Sequence, residues 1–114
     1  MNWKPLTSEN ELAEIIERSY RIPQVIFKHS TRCGTSGLAK HRLEKSGYIG
    51  EIEFYLLDVI ANRPLSGLVA RDLDVWHESP QVILVINGNA AYDESHTGIR
   101  MDDIKEQSLS LVNR

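Results

Sequence analysis

The chain has a single cysteine, Cys33, among its 114 residues. One thiol cannot close an internal disulfide. That argues against a disulfide-stapled secreted domain and fits a reducing compartment such as the cytoplasm. Long hydrophobic runs are also missing. The longest, Val82-Ile83-Leu84-Val85-Ile86, is far too short to span a bilayer, and the opening MNWKPLTSEN has no apolar signal core. The net charge is -3, so no global excess of positive charge draws the chain to nucleic acid or to an anionic membrane. Repeats, low-complexity tracts and linkers are absent, and the expectation is one domain over residues 1–114, long enough to build a core without disulfides or metal. One absence is local. No acidic residue lies between Glu17 and Glu44, while the same interval carries Arg18, Arg21, Lys28, His29, Arg32, Lys40, His41 and Arg42. The lone thiol sits inside this basic island.

The pattern along the chain defines the elements around it. Trp3-Lys4-Pro5-Leu6 is a short extended lead-in. Ser8 with Glu11 forms a capping box for a helix whose apolar face is Leu12, Ile15, Ile16 and Tyr20. Gln24 to Lys28 reads as a buried strand. After the Cys33 loop a second helix runs to about Ser46, with Gly47 as a left-handed terminator. Ile52 to Val59 is a strand. Asn62 and Pro64 open a helix carrying Leu65, Leu68, Val69 and Leu73. Gln81 to Ile86 and Asn89 to Tyr92 form a hairpin around Asn87-Gly88. A last helix spans roughly Met101 to Val112, with Ile104, Leu111 and Val112 inward. The order (β)αβαβαββα gives an α/β fold, a mixed central sheet with helices on both faces.

Cys33 therefore falls where a strand ends and a helix begins, a place that exposes a thiol and favours its ionised, nucleophilic form. Ser36 occupies the position of the second cysteine in a Cys-x-x-Cys pair. Its hydroxyl is expected either to assist the sulfur or to bond only to backbone. With no second cysteine, any turnover passes through a mixed disulfide resolved by an outside thiol. Lys28, Arg32 and Lys40 are candidate partners for substrate carboxylates, although helical phase prevents Lys40, His41 and Arg42 from all facing one site. His29 is a candidate for tuning Cys33 or binding a carboxylate, and His77 and Glu78 for shaping the rim. Metal is not expected, because no histidine pair has compact ligand spacing. Nucleic acid is not expected either, since the basic stretch lacks interleaved aromatics.

A cysteine after the second strand and a proline opening the hairpin strand match the thioredoxin-like fold. Three segments narrow the match: Phe27-Lys28-His29-Ser30-Thr31-x-Cys33-x-x-Ser36, His77-Glu78-Ser79-Pro80-Gln81 and Ser95-His96-x-x-Ile99. Together they resemble the YtxJ-type bacilliredoxin-like family, small monothiol proteins of the bacillithiol redox system, over nearly the whole chain. The resemblance implies a cis Ser79-Pro80 peptide beside the cysteine, with Ser79 offering backbone groups to an extended substrate. It further implies a thiol-binding groove that includes Lys28, His29, Arg32, Thr35, Ser79, Pro80, Ser95 and His96. The implied activity is removal of bacillithiol from S-bacillithiolated client proteins by Cys33, with bacillithiol as co-substrate. Family members often carry proline after the cysteine. Here Gly34 gives Cys-Gly-Thr-Ser, close to the Cys-Gly-Phe-Ser of monothiol glutaredoxins. That leaves an alternative, an iron–sulfur cluster held by Cys33 and a low-molecular-weight thiol. A partner-binding module with an inert Cys33 is a third reading.

Overall fold

Two apolar runs form the centre of the sheet. Every residue of β2 (Gln24–His29) and β4 (Gln81–Ile86) is buried. The computed structural model describes residues 1–112. Around the central strands it places β1 (Trp3–Pro5), α1 (Glu9–Arg18), α2 (Gly34–Lys45), β3 (Glu53–Asp58), α3 (Arg63–Leu73), β5 (Asn89–Ser95), a 3₁₀ turn over His96–Gly98 and α4 (Met101–Val112). The sheet order is β1-β3-β2-β4-β5. β1 and β2 run parallel to β3, and β4 lies antiparallel between β2 and β5. Alternation along the strands feeds two cores. Ile26, Ile83 and Val85 meet Leu12 and Ile15 of α1 and Leu65 and Val69 of α3. Val25, Phe27, Val82 and Leu84 meet Ala39 and Leu43 of α2 and Met101 and Ile104 of α4. The result is the mixed-sheet sandwich that the element order implies.

Local signals behave as their chemistry requires. The Ser8 hydroxyl accepts from the Glu11 N–H at 3.2 Å, and the Glu11 carboxylate accepts from the Thr7 N–H at 2.9 Å. Gly47 has φ +65°, the left-handed stop that glycine takes at no steric cost. Asn87 and Gly88, at φ +53° and +79°, close the β4–β5 hairpin. Tyr20 departs from expectation, being 60% exposed. α1 ends at Arg18, so Tyr20 falls beyond the helix, where its ring lies over Gly88 and a Cβ at that glycine would strike the phenol. β5 extends three residues past Tyr92, to Ser95. Ile104 is buried as expected; the inward packing of Leu111 and Val112 lies outside the described side chains.

The end of the sheet away from Cys33 is tied by one carboxylate. Glu53 accepts from Arg18 at 2.7 and 2.8 Å, from Gln24 at 2.7 Å and from Lys4 at 3.1 Å. These bonds, the Arg18 guanidinium's foremost, hold its carboxyl down to about 2, against a partial cost of burial. The folded value lies below the ordinary 4.5, so the stabilisation is complete above that pH and drains away as pH falls toward the folded value. Glu53→Gln is expected to lower stability by about 1–3 kcal/mol at neutral pH. Urea titrations should show the gap to the parent narrowing between about pH 5 and pH 3. A gap constant over that range contradicts this assignment.

Candidate active site

Parallel strands β2 and β3 both end on one side of the sheet, and open α/β sheets place their ligand crevices outside those carboxyl ends. The turn after β2 delivers Cys33 as the N-cap of α2, with φ −111° and ψ 119° and no side-chain capping bond. A serine, threonine or aspartate would cap better. The backbone pins the thiol in place: Cys33 N–H donates to Ser30 C=O at 3.2 Å, and Gly37 N–H donates to Cys33 C=O at 3.1 Å. The residue is neither fully buried nor fully exposed. It lines an open cleft of about 600 Å³ together with Arg32, Arg63, Ser66, His77 and Ser79, a volume suited to a small ligand. Val59 and Ile60, after β3, form its apolar wall.

The second wall is the turn before β4. The Ser79-Pro80 peptide is cis, as the resemblance implies. Ser79 lines the cleft, and its buried hydroxyl has no hydrogen-bond partner. Pro80 is buried, and its carbonyl accepts from the His96 N–H at 3.0 Å. His96 adopts φ +56°, a region uncommon outside glycine, and its Nε2 lies 3.1 Å from Glu78 Oε2. This pair braces the turn against the Ser95-His96 segment, so both segments stand at one rim.

The remaining candidates are distributed differently. Ser36 is fully buried, and its hydroxyl is taken up inside the loop. It accepts from the Ser30 N–H at 2.9 Å and lies 2.7 Å from His29 Nδ1. The hydroxyl keeps a second lone pair as well as its own proton, so either it or the ring nitrogen can donate across this contact. Burial, then the Lys40 charge, lowers the His29 pKa and so favours the neutral ring. Ser36 and His29 therefore clamp the turn from behind. Lys28 is 0% exposed and does not reach a ligand from the surface. Its ammonium donates to His77 Nδ1 at 3.0 Å, with the Ser66 hydroxyl 3.3 Å from the same nitrogen. Burial pushes the Lys28 pKa down to about 8, and burial with the Lys28 charge lowers that of His77. Thr35 is exposed on the first turn of α2, outside the residues lining the cleft, and Lys40 pairs with Glu44 at 2.7 Å. Of the expected groove, Arg32, Cys33 and Ser79 share the cleft. Arg63, Ser66 and His77 complete it. The sequence signal for Arg63 is its place at the start of the helix after β3, which topology brings to the same edge.

A thiol at a helix start, facing a cis-proline turn on this sheet, defines a thioredoxin-fold thiol protein. Solved structures agree. A candidate oxidoreductase with a thioredoxin fold matches at 28% identity and TM-score 0.81, with 91% of each chain covered. Thioredoxin from Trypanosoma brucei brucei matches at 14% identity and TM-score 0.77, covering 99% of this chain and 93% of that one. Thioredoxin O2 from Arabidopsis thaliana matches at 20% identity and TM-score 0.72, with 92% of each covered. The chain belongs to the monothiol bacilliredoxin BrxC family, whose model matches residues 4–104. Family and fold together assign it a thiol redox role, and its one cysteine fits a monothiol protein. Among the described residues no helix is long and apolar enough to cross a membrane. No group of three His, Cys, Asp or Glu among them could hold a metal ion.

Proposed function

We propose that this protein is a monothiol thiol–disulfide oxidoreductase that removes bacillithiol from S-bacillithiolated client proteins in the cytoplasm. The observation that carries the reading is the lone, reachable Cys33 at the first turn of α2, beside the Ser79-Pro80 turn. The Cys33 thiolate attacks the bacillithiol sulfur of the client's mixed disulfide. A new S–S bond forms to Cys33, the old one breaks, and the client leaves as thiolate and takes a proton from solvent. A second bacillithiol thiolate then attacks the sulfur that Cys33 carries. Cys33 is freed and bacillithiol disulfide departs. Two thiols are oxidised and two sulfurs reduced, so no metal or outside electron carrier enters. α2 contributes its unpaired N–H groups and dipole to the thiolate, and no second cysteine competes for the intermediate.

The test uses an S-bacillithiolated peptide with the reduced protein. The expected result is one free peptide thiol released for each bacillithiol transferred to Cys33. A peptide that stays modified while the protein remains folded and reduced overturns the reading.

A further inference from the structure

We propose that Arg63, acting with Arg32, clamps the two carboxylates of bacillithiol, which that thiol bears on neighbouring carbons of a malate head, while it is carried on Cys33. This inference rests on the function proposed above and identifies how that site selects its thiol. Arg63 is the first residue of α3 and lines the same cleft as Arg32 and Cys33. Among the described residues neither guanidinium has a carboxylate or other hydrogen-bond partner in the chain, whereas Arg18, Arg71 and Arg100 each stand within 4.0 Å of one. Among the described residues no carboxylate lines the cleft. The nearby acids are already engaged: Asp58 accepts from the Ile60 and Ala61 N–H groups, and Glu78 faces His96. Of the other cations of the basic island, Arg21 and Arg42 also stand without a carboxylate partner among the described residues, but neither lines the cleft. Lys28 is sealed beneath His77 and Lys40 is held by Glu44.

The chemistry of the ligand follows from that arrangement. Guanidinium groups bind carboxylates through paired N–H donors in one plane, a geometry an ammonium lacks. Two arginines in one cleft suit a ligand whose carboxylates sit on neighbouring carbons. They suit glutathione less well, because its carboxylates lie at opposite ends of the molecule. The buried Lys28 ammonium, bonded to His77 of the cleft wall, adds positive field from behind that residue.

The experiment measures second-order rate constants for mixed-disulfide formation on Cys33 with three disulfides: bacillithiol disulfide, glutathione disulfide and the uncharged hydroxyethyl disulfide. The parent is expected to favour bacillithiol disulfide. In Arg63→Gln the ratio of the bacillithiol to the hydroxyethyl rate constant is expected to fall about tenfold, as one charge-assisted contact is lost. It should fall further in the Arg32→Gln double variant, with Arg63→Lys recovering only part. Arg63 is exposed, so folding is not at stake, and circular dichroism checks it. An unchanged ratio in Arg63→Gln overturns the clamp and leaves the proposed function standing. A parent that reacts with hydroxyethyl disulfide but not with bacillithiol disulfide overturns both.

Discussion

Cys33→Ser is expected to lose all thiol exchange and yet to fold at least as stably as the parent. The two halves of that result separate chemistry from architecture. Exchange requires a sulfur nucleophile, and a serine hydroxyl stays protonated and does not attack disulfides at neutral pH. With no other cysteine in the chain, nothing takes over, so the rate falls to that of buffer alone. Stability moves the other way. Cys33 is the N-cap of α2 and makes no capping bond, whereas serine is among the preferred N-cap residues. A new bond from the introduced hydroxyl to the first-turn N–H groups is worth about 0.5–1 kcal/mol. A cysteine at the N-cap is thus a local structural deficit and is accounted for by reactivity. Thermal melts and disulfide-exchange rates on the same preparation read both quantities. Retained exchange removes Cys33 from the mechanism, and a large loss of stability means that the sulfur is a packing group.

The second large effect concerns Lys28. Its side chain is 0% exposed, and among the described residues its one polar partner is His77, whose pKa burial lowers toward the neutral form. Among the described residues no anion pairs with the buried charge. The folded pKa, about 8, lies below the ordinary 10.5. The unfolded chain therefore binds more protons between those values, and stability rises with pH across that window. Below it the full penalty applies, of order 3 kcal/mol as an upper bound. Methionine fills the lysine stem's volume without a charge, and the Ser66 hydroxyl remains 3.3 Å from His77 Nδ1. Lys28→Met is expected to stabilise the protein by about 2 kcal/mol at neutral pH, with the gain shrinking to nothing above about pH 10. Guanidinium titrations across that range check it, and a destabilised variant at neutral pH contradicts it. What the ammonium supplies is orientation. It occupies Nδ1, so neutral His77 carries its proton on Nε2 at the edge of the Cys33 cleft. Lys28→Met is accordingly expected to exchange disulfides more slowly while melting higher, a trade common at functional sites.

The features readable from sequence were those with short-range causes. Ser8 and Glu11 lie three residues apart and satisfy each other within one turn. Asn87-Gly88 and Gly47 declare left-handed backbone directly. Cys33 at the N-cap follows from an apolar strand meeting a helical pattern, and the order of elements limits the sheet to few topologies. The site was less legible because its pairings cross the fold. A lysine ending an apolar run suggests a cation for ligand, but alternation turns Lys28 inward, where His77, distant in sequence, covers it. Ser36 lies in the slot of a resolving cysteine, yet the return of α2 against β2 sets its hydroxyl on His29. Arg63 enters the cleft only because β3 lies beside β2. Tyr20 fits a helical face by spacing, but the helix stops two residues earlier.

The measurement that bears most directly on the central claim is the intact mass of the reduced protein after exposure to bacillithiol disulfide. The account predicts one bacillithiol per chain, mapped to the peptide containing Cys33 and released when free bacillithiol is added. A protein whose mass does not change, while the folded chain's thiol still reacts with a small alkylating agent, contradicts it.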